Sequence, residues 1–272
     1  MSAGVREPED IQLRIQGVSK RFGGVQAVAD VSLEVRRGEM LSVIGPNGAG
    51  KTSLLNMISG FYHPDSGRIA FEGRDITQSA PNHVAALGVA RTFQNIALFK
   101  GMSVLDNLML GRHVRMRSGV LAGIAYWGLA QREEVAHREQ VEAIIEFLQL
   151  QDLRRQPTGS LAYGLRKRVE LGRALAADPK VLLLDEPMAG MNQEEKEDMA
   201  RFVLDVNEEW GTTVILIEHD MGVVMEISDR LLVLDMGRNI AQGTPQEVQS
   251  NPQVIKAYLG EGKAVVNGGA RD

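Results

Sequence analysis

Gly45-Pro46-Asn47-Gly48-Ala49-Gly50-Lys51-Thr52 follows the apolar run Met40-Leu41-Ser42-Val43-Ile44 and precedes a segment with Leu54, Leu55 and Ile58 on one helical face. The octet has the spacing GxxxxGK[ST] of a P-loop, set between a short buried strand and a helix. Glycines there let backbone N–H groups close around phosphate oxygens, and the following helix points its partly positive end at them. In that frame Lys51 reaches the β- and γ-phosphates, and Thr52 supplies a hydroxyl to Mg2+.

Working outward, three more unbroken apolar runs match the one before the loop: Val181 to Leu184, Val214 to Ile217 and Leu231 to Leu234. Runs this short and this rich in branched residues suit parallel strands covered on both faces. The N-terminal stretch differs. Ile11, Leu13 and Ile15, and then Val31, Leu33 and Val35, alternate with polar residues, the period of strands covered on one face. Helical spacing appears in Val141, Ile144, Ile145 and Leu148, and again in Met199, Phe202, Val203, Val206 and Trp210. The second set is preceded by Asn192 and Glu195, three apart, close to a capping box. Strands alternating with helices predict an α/β, three-layer core with a small antiparallel β layer at its N-terminal end. From about Gln94 to Arg173 strand signals stop, which predicts an inserted helical subdomain.

The resulting division is a polar tail over 1–10, an α/β core over 11–93 and 174–245, a helical subdomain over 94–173, and a C-terminal helix and tail over 246–272. In the last segment Val248, Ile255, Tyr258 and Leu259 form an amphipathic stretch before a glycine-rich end at Gly268-Gly269.

Composition narrows the classes. The 272 residues carry 30 basic against 35 acidic side chains, a net charge of −5, with 44% hydrophobic and no cysteine. That content fills a core and leaves no disulfide, thiolate metal site or cysteine nucleophile. The acidic balance weighs against nucleic acid as the main partner. No apolar run reaches the roughly 20 residues of a membrane helix, the longest candidate being Leu121 to Ala130. The charged start, with Arg6, Glu7, Glu9 and Asp10, lacks the apolar centre of a secretion signal, so cytosolic residence is expected.

Val181 to Leu184 runs into Asp185-Glu186-Pro187, placing two carboxylates at the carboxyl end of a buried strand, where α/β sheets bind ligands. Asp185 suits Mg2+, a hard cation that prefers oxygen ligands, and Glu186 suits the base that orients and deprotonates attacking water. His219 follows the strand Val214 to Ile217 at another carboxyl end, placed to bond the γ-phosphate and hold the water. His63, His83, His113 and His137 show no ligand spacing and are expected to be solvated.

Two further elements complete an ordered set: Phe93-Gln94 at the start of the helical subdomain, and Ser160-Leu161-Ala162-Tyr163-Gly164-Leu165 before the carboxylate strand. With the P-loop, the carboxylate strand, Ala189-Gly190-Met191-Asn192 and His219, the chain resembles an ATP-binding subunit of the ABC transporter family from about Ile11 to Gly260. The resemblance implies a P-loop NTPase (RecA-like) core and two cofactors, ATP and Mg2+. It implies catalytic roles for Glu186, His219 and Lys51. Nucleotide contacts fall to Phe22, stacked on adenine with Val28 near it, to Gly45, Pro46, Asn47, Gly48, Ala49, Gly50, Lys51, Thr52 and Ser53, and to Gln94. Thr52, Gln94 and Asp185 become the metal ligands. In trans, Ser160, Leu161, Ala162, Tyr163 and Gly164 form the signature that meets the phosphate held by a second cassette. The family usually has Leu-Ser-Gly-Gly-Gln there, so Ala162 removes a hydroxyl and Leu165 an amide, leaving Gly164 and a helix N-terminus to serve.

With one P-loop and one signature, the chain implies a second ATP-binding subunit, either a paralogue or another copy. The resemblance adds two transmembrane permease subunits and, indirectly, an extracytoplasmic solute-binding protein, which place the chain at the cytoplasmic face of the cell membrane. Ile96, Leu98, Phe99 and Met102 are candidates to receive a helix of the membrane subunit. The long stretch Gly111 to Arg138 and the Gly243-Thr244-Pro245 and Ala257-Tyr258-Leu259-Gly260-Glu261 segments look like the LivG-type ATPases of branched-chain amino-acid uptake. An exporter ATPase of the lipopolysaccharide type and a soluble non-transport ABC ATPase are the alternatives.

Overall fold

The computed structural model describes residues 10–92, 96–112 and 127–258. The tail before Asp10, Phe93 and Gln94, His113, most of Leu121 to Ala130, and the chain from Leu259 lie outside the described residues. In chain order the elements are β1 (Ile11–Phe22), β2 (Val25–Arg36), β3 (Met40–Ile44), α1 (Lys51–Ile58), β4 (Ser66–Phe71), β5 (Arg74–Asp75), α2 (Pro81–Leu87), β6 (Val89–Arg91) and α3 (Val104–Arg112). Then come α4 (Trp127–Phe147), α5 (Tyr163–Leu175), β7 (Val181–Asp185), α6 (Gln193–Glu208), β8 (Thr213–Ile217), α7 (Met221–Ile227), β9 (Arg230–Asp235), β10 (Arg238–Gly243) and α8 (Pro245–Gln249). The chain divides into two compact units, Met1–Pro81 with Gly211–Asp272, and Asn82–Trp210.

The first unit holds an antiparallel sheet in the order β2-β1-β4-β5. Leu13 faces Val35 and Ile15 faces Leu33 across β1 and β2, so the alternating residues share one buried face. The alternation breaks at its start. Gln12 is buried while Ile11 is only half-buried, and the Gln12 side-chain amide oxygen Oε1 accepts a bond from the Thr213 hydroxyl. In the same unit β3 lies between β8 and β9, parallel to both, with Val43 opposite Ile217 and Ile44 opposite Val233. Every residue of β3 and β8 is buried, as their nearly continuous apolar sequences require. The one hydroxyl inside β3, on Ser42, bonds to that of Ser228 at 2.7 Å and so avoids the cost of an unsatisfied buried polar group. Buried Glu39 is held by the Arg230 guanidinium at 2.6 and 3.0 Å.

The second unit pairs β6 with β7 in parallel, Val89 opposite Val181 and Arg91 opposite Leu183. Among its described residues no strand lies between Arg91 and Val181, and α3, α4 and α5 fill that interval together with two short 3-10 turns. Val141, Ile144, Ile145 and Leu148 are buried, as their spacing predicts, and so are Met199, Phe202, Val203 and Val206 of α6. Trp210 lies beyond the end of α6, 43% exposed, its ring 4.9 Å from that of Phe147. Asn192 caps α6 in full: its side chain accepts the Glu195 N–H at 2.9 Å, and the Glu195 carboxylate accepts the Asn192 N–H at 3.1 Å.

Two expectations change. The C-terminal stretch is not one amphipathic helix: α8 ends at Gln249 and a second helix starts at Pro252, so Val248 and Val254 are buried while Ile255 is exposed. Ser250-Asn251-Pro252 breaks the period, since proline disfavours helix in the residue before it. His137 is half-buried rather than solvated, and its Nδ1 accepts the Arg112 Nε–H at 2.8 Å. No helix among the described residues is long and apolar enough to cross a membrane.

Candidate active site

The first unit carries the phosphate loop. Buried β3 ends at Ile44, the loop Gly45 to Gly50 follows, and α1 begins at Lys51 with Leu54, Leu55 and Ile58 packed inward. Backbone closes on this loop from both sides. A Cβ on Gly45 would lie 1.9 Å from the Leu234 carbonyl oxygen, and one on Gly50 would lie 2.2 Å from that of Ala27. Gly50 also holds φ of 99°, a conformation that favours glycine. The Gly237 N–H bonds the Ala49 carbonyl at 3.0 Å, so the turn after β9 braces the loop. Asn47 and Gly48 are exposed at the tip. Lys51, buried, lies back along the loop with its Nζ donating to the carbonyls of Gly45 at 2.6 Å and Pro46 at 2.9 Å, while Thr52 faces solution. Pro46 and Gly50 are half-buried and Ala49 buried, and Ser53 is half-buried on α1.

Phe22, 42% exposed, ends β1 and meets Tyr62 edge-on, ring centroids 5.0 Å apart. Val28 is fully buried in the core of this unit. His219 is exposed just past β8, its backbone N–H bonded to the carboxylate of buried Glu218 at 3.1 Å.

The second unit carries the carboxylates. All of β7 is buried, and Asp185 at its end is 1% exposed. Its Oδ2 accepts from the Arg91 guanidinium at 3.0 Å, a buried ion pair supplied by β6. Arg91 escaped the sequence reading because β6 is three residues long and carries little apolar signal. Glu186 is half-buried and has φ of 52°, rare for a residue with a Cβ. Its carbonyl accepts the Ala189 N–H at 3.3 Å, starting the turn through Ala189 to Asn192.

In the same unit, Ser160 closes a 3-10 turn, buried Leu161 follows in extended conformation, and Ala162 is the N-cap of α5. Having no side-chain oxygen, Ala162 makes no capping bond. Tyr163 is partly exposed and Gly164 is buried at the first turn. Gln94 lies outside the described residues.

Residues 28–189 match the ABC transporter family model. The chain is 42% identical over 250 residues to BraF of Pseudomonas aeruginosa, a high-affinity branched-chain amino acid transport ATP-binding protein, covering 92% of this chain and 98% of that one. This chain belongs to the ABC transporter family. As an ABC ATP-binding cassette it is of a kind that binds ATP and hydrolyses it to power transport. Another relative is LivG of Escherichia coli K12, 38% identical over 249 residues, again spanning 92% of this cassette and 98% of the relative. Residues 238–264 of the cassette match a second model, the branched-chain amino acid ATP-binding cassette transporter. Among solved structures, the ADP conformation of MJ1267, an ATP-binding cassette of an ABC transporter, is similar with a TM-score of 0.80 and 37% identity. It covers 92% of this chain and 99% of that one.

Proposed function

We propose that this cassette is the ATP-hydrolysing subunit of an importer for branched-chain or related hydrophobic amino acids, working at the cytoplasmic face of the membrane. What carries the reading is the match of its C-terminal segment, residues 238–264, to the branched-chain amino acid model on a chain that spans 98% of BraF. Its partners are a second ATP-binding subunit, a copy or a paralogue, two permease subunits, and indirectly an extracytoplasmic solute-binding protein.

In this reading the Gly45 to Gly50 backbone and Ser53 cradle the phosphates of ATP, and Phe22 stacks on the base. The loop fits because backbone carbonyls already fill the space that side chains at Gly45 and Gly50 would need. Lys51 Nζ leaves the carbonyls of Gly45 and Pro46 to meet the terminal phosphates. Thr52, open to solution, and Asp185 are hard oxygen donors of the type Mg2+ takes, with Gln94 a third. The ion, when bound, neutralises charge on the phosphate oxygens. Glu186 takes a proton from the water that attacks the γ-phosphorus, as the bond from phosphorus to the ADP oxygen breaks. His219 holds that water and the phosphate. Ser160 to Gly164 approach the phosphate bound to the second cassette. Val28 acts as a support beneath the base site, since it is buried.

The test is light scattering of Glu186→Gln with Mg·ATP beside turnover by the wild type. Expected are an ATP-dependent dimer of the variant and hydrolysis by the wild type, raised by membrane subunits carrying a branched-chain amino-acid binding protein. A variant that stays monomeric beside an active wild type makes the partner a paralogue. Absence of hydrolysis even with membrane subunits would sink the reading.

A further inference from the structure

The second unit contains an interlock that no sequence motif announces. The turn at the start of α5 offers Gly164 to Glu195 in the first turn of α6, and the loop that follows Glu186 offers Gly190 to Tyr163. The Tyr163 ring lies over Gly190, where a Cβ would be 3.2 Å from Cε1. The Glu195 carboxyl group lies on Gly164, where a Cβ would be 2.3 Å from Oε1 and 2.6 Å from Cδ. Glu195 is not free to swing away without cost, because its other oxygen accepts the Asn192 N–H and closes the capping box. One turn deeper in α5, Lys167 is buried, with its Nζ 3.5 Å from the Glu186 carbonyl oxygen and 3.8 Å from Glu170. Glu186 itself holds a left-handed backbone, a conformation that persists only where its surroundings over-determine it. Two donors reach its carbonyl in a row, Lys167 from α5 and Ala189 from the loop.

We infer that Tyr163, Lys167 and Glu195 are positioning residues that fix the backbone of Glu186 to the signature turn of the same chain. The inference rests on the function proposed above. The signature turn meets phosphate held by one partner cassette, while Glu186 acts on the phosphate held by its own P-loop. Movement of α5 by the first phosphate therefore pulls or releases the carbonyl of the base at the second, so these three side chains are the route by which one site of a dimer acts on the other. The coupling is carried by a physical chain of contacts and needs no change in either nucleotide pocket. Ala162 makes no side-chain capping bond to this turn, and the Glu195 carboxyl group lies against it at Gly164.

Lys167→Met keeps length and burial but removes the donor, and Glu195→Ala empties the space over Gly164, whereas Glu195→Gln keeps both packing and an acceptor oxygen. Steady-state turnover against ATP concentration, and ATP-dependent dimerisation of each change placed in the Glu186→Gln background, separate positioning from folding. Expected are a fall in kcat of about tenfold for Lys167→Met and Glu195→Ala, from misplacement of the base. The KM for ATP and the dimerisation threshold should stay within about twofold, the Hill coefficient should drop toward one, and Glu195→Gln should recover most of the rate. Unchanged kcat in both variants overturns the inference and leaves the ATPase reading standing. Joint loss of turnover, dimerisation and thermal stability, unrelieved by Glu195→Gln, also overturns it, in favour of a purely structural role. A wild type that neither hydrolyses ATP nor dimerises as Glu186→Gln overturns both.

Discussion

The P-loop and the signature turn are both openings of helices, each in its own unit, and they are built by opposite means. Gly45 and Gly50 are clamped by the carbonyls of Leu234 and Ala27, with the Gly237 N–H on Ala49, so the loop is fixed by main chain against main chain. The turn at Ala162 to Gly164 has no side-chain cap and is held by Tyr163, Glu195 and, further along, Lys167. Main-chain clamps leave no slack, because a Cβ has nowhere to go. Side-chain contacts allow rotamer change and so permit a part that moves. On the function proposed above, the first construction suits a phosphate held firmly and the second a phosphate that is let go.

The sharpest way to break the contrast is at the clamp. Gly45→Ala drives a Cβ into the Leu234 carbonyl, and a loss of ATP affinity of about 100-fold or more is expected by fluorescent-nucleotide titration. Affinity near that of the wild type would show that the loop yields. The second unit also has a stiff part, the Arg91–Asp185 pair. Arg91→Met removes the buried partner of a buried carboxylate and should cost about 3 to 5 kcal/mol in urea unfolding. A loss under about 1 kcal/mol would count the pair as dispensable.

Smaller effects sharpen the comparison. Ala162→Ser restores a capping hydroxyl and should add about 0.5 to 1 kcal/mol of stability, raising the thermal midpoint. If stability does not change, the turn is already satisfied from the Glu195 side. The smallest effect concerns Asp75 in the first unit, far in sequence from either turn. The Thr77 hydroxyl, then the Thr77 N–H and the Arg68 guanidinium, hold its carboxyl down at about 2 against an ordinary 3.8. A depressed carboxylate stabilises the fold fully above its ordinary pKa and loses that contribution as pH falls through the folded value. Asp75→Asn should therefore lower the thermal midpoint slightly at pH 7, with the gap narrowing from about pH 4 toward pH 2. A gap independent of pH would assign the effect to hydrogen bonding alone.

Buried parallel strands were readable because four apolar runs have one explanation, and β3, β7, β8 and β9 cover them. The Asn192–Glu195 cap was readable for the same reason, as a local rule with fixed spacing. β4, β6 and β10 were not. β4 begins Ser66-Gly67-Arg68 and β10 reads Arg238 to Gly243, largely polar, so each exists only through its neighbour's hydrogen bonds. The P-loop, Asp185 and Glu186 could be named from spacing. Arg91 and Lys167 could not, and Glu195 was legible only as half of the helix cap and not as a neighbour of Gly164, since a cation or carboxylate brought in from elsewhere in the chain leaves no periodic trace. His137 shows the same limit, an isolated histidine whose partner Arg112 lies 25 residues away.

The C-terminal segment has a practical consequence for anyone shortening this protein. Val248 and Val254 pack in one cluster with Val224, Leu231, Val233 and Ile44, and Ile44 is the residue that hands the chain to the P-loop. A cut placed before Val248 therefore removes part of the floor under the nucleotide loop, even though the loop lies some 200 positions earlier in the chain. A truncated protein that binds ATP poorly should be suspected of lost packing before any catalytic defect is assigned to it.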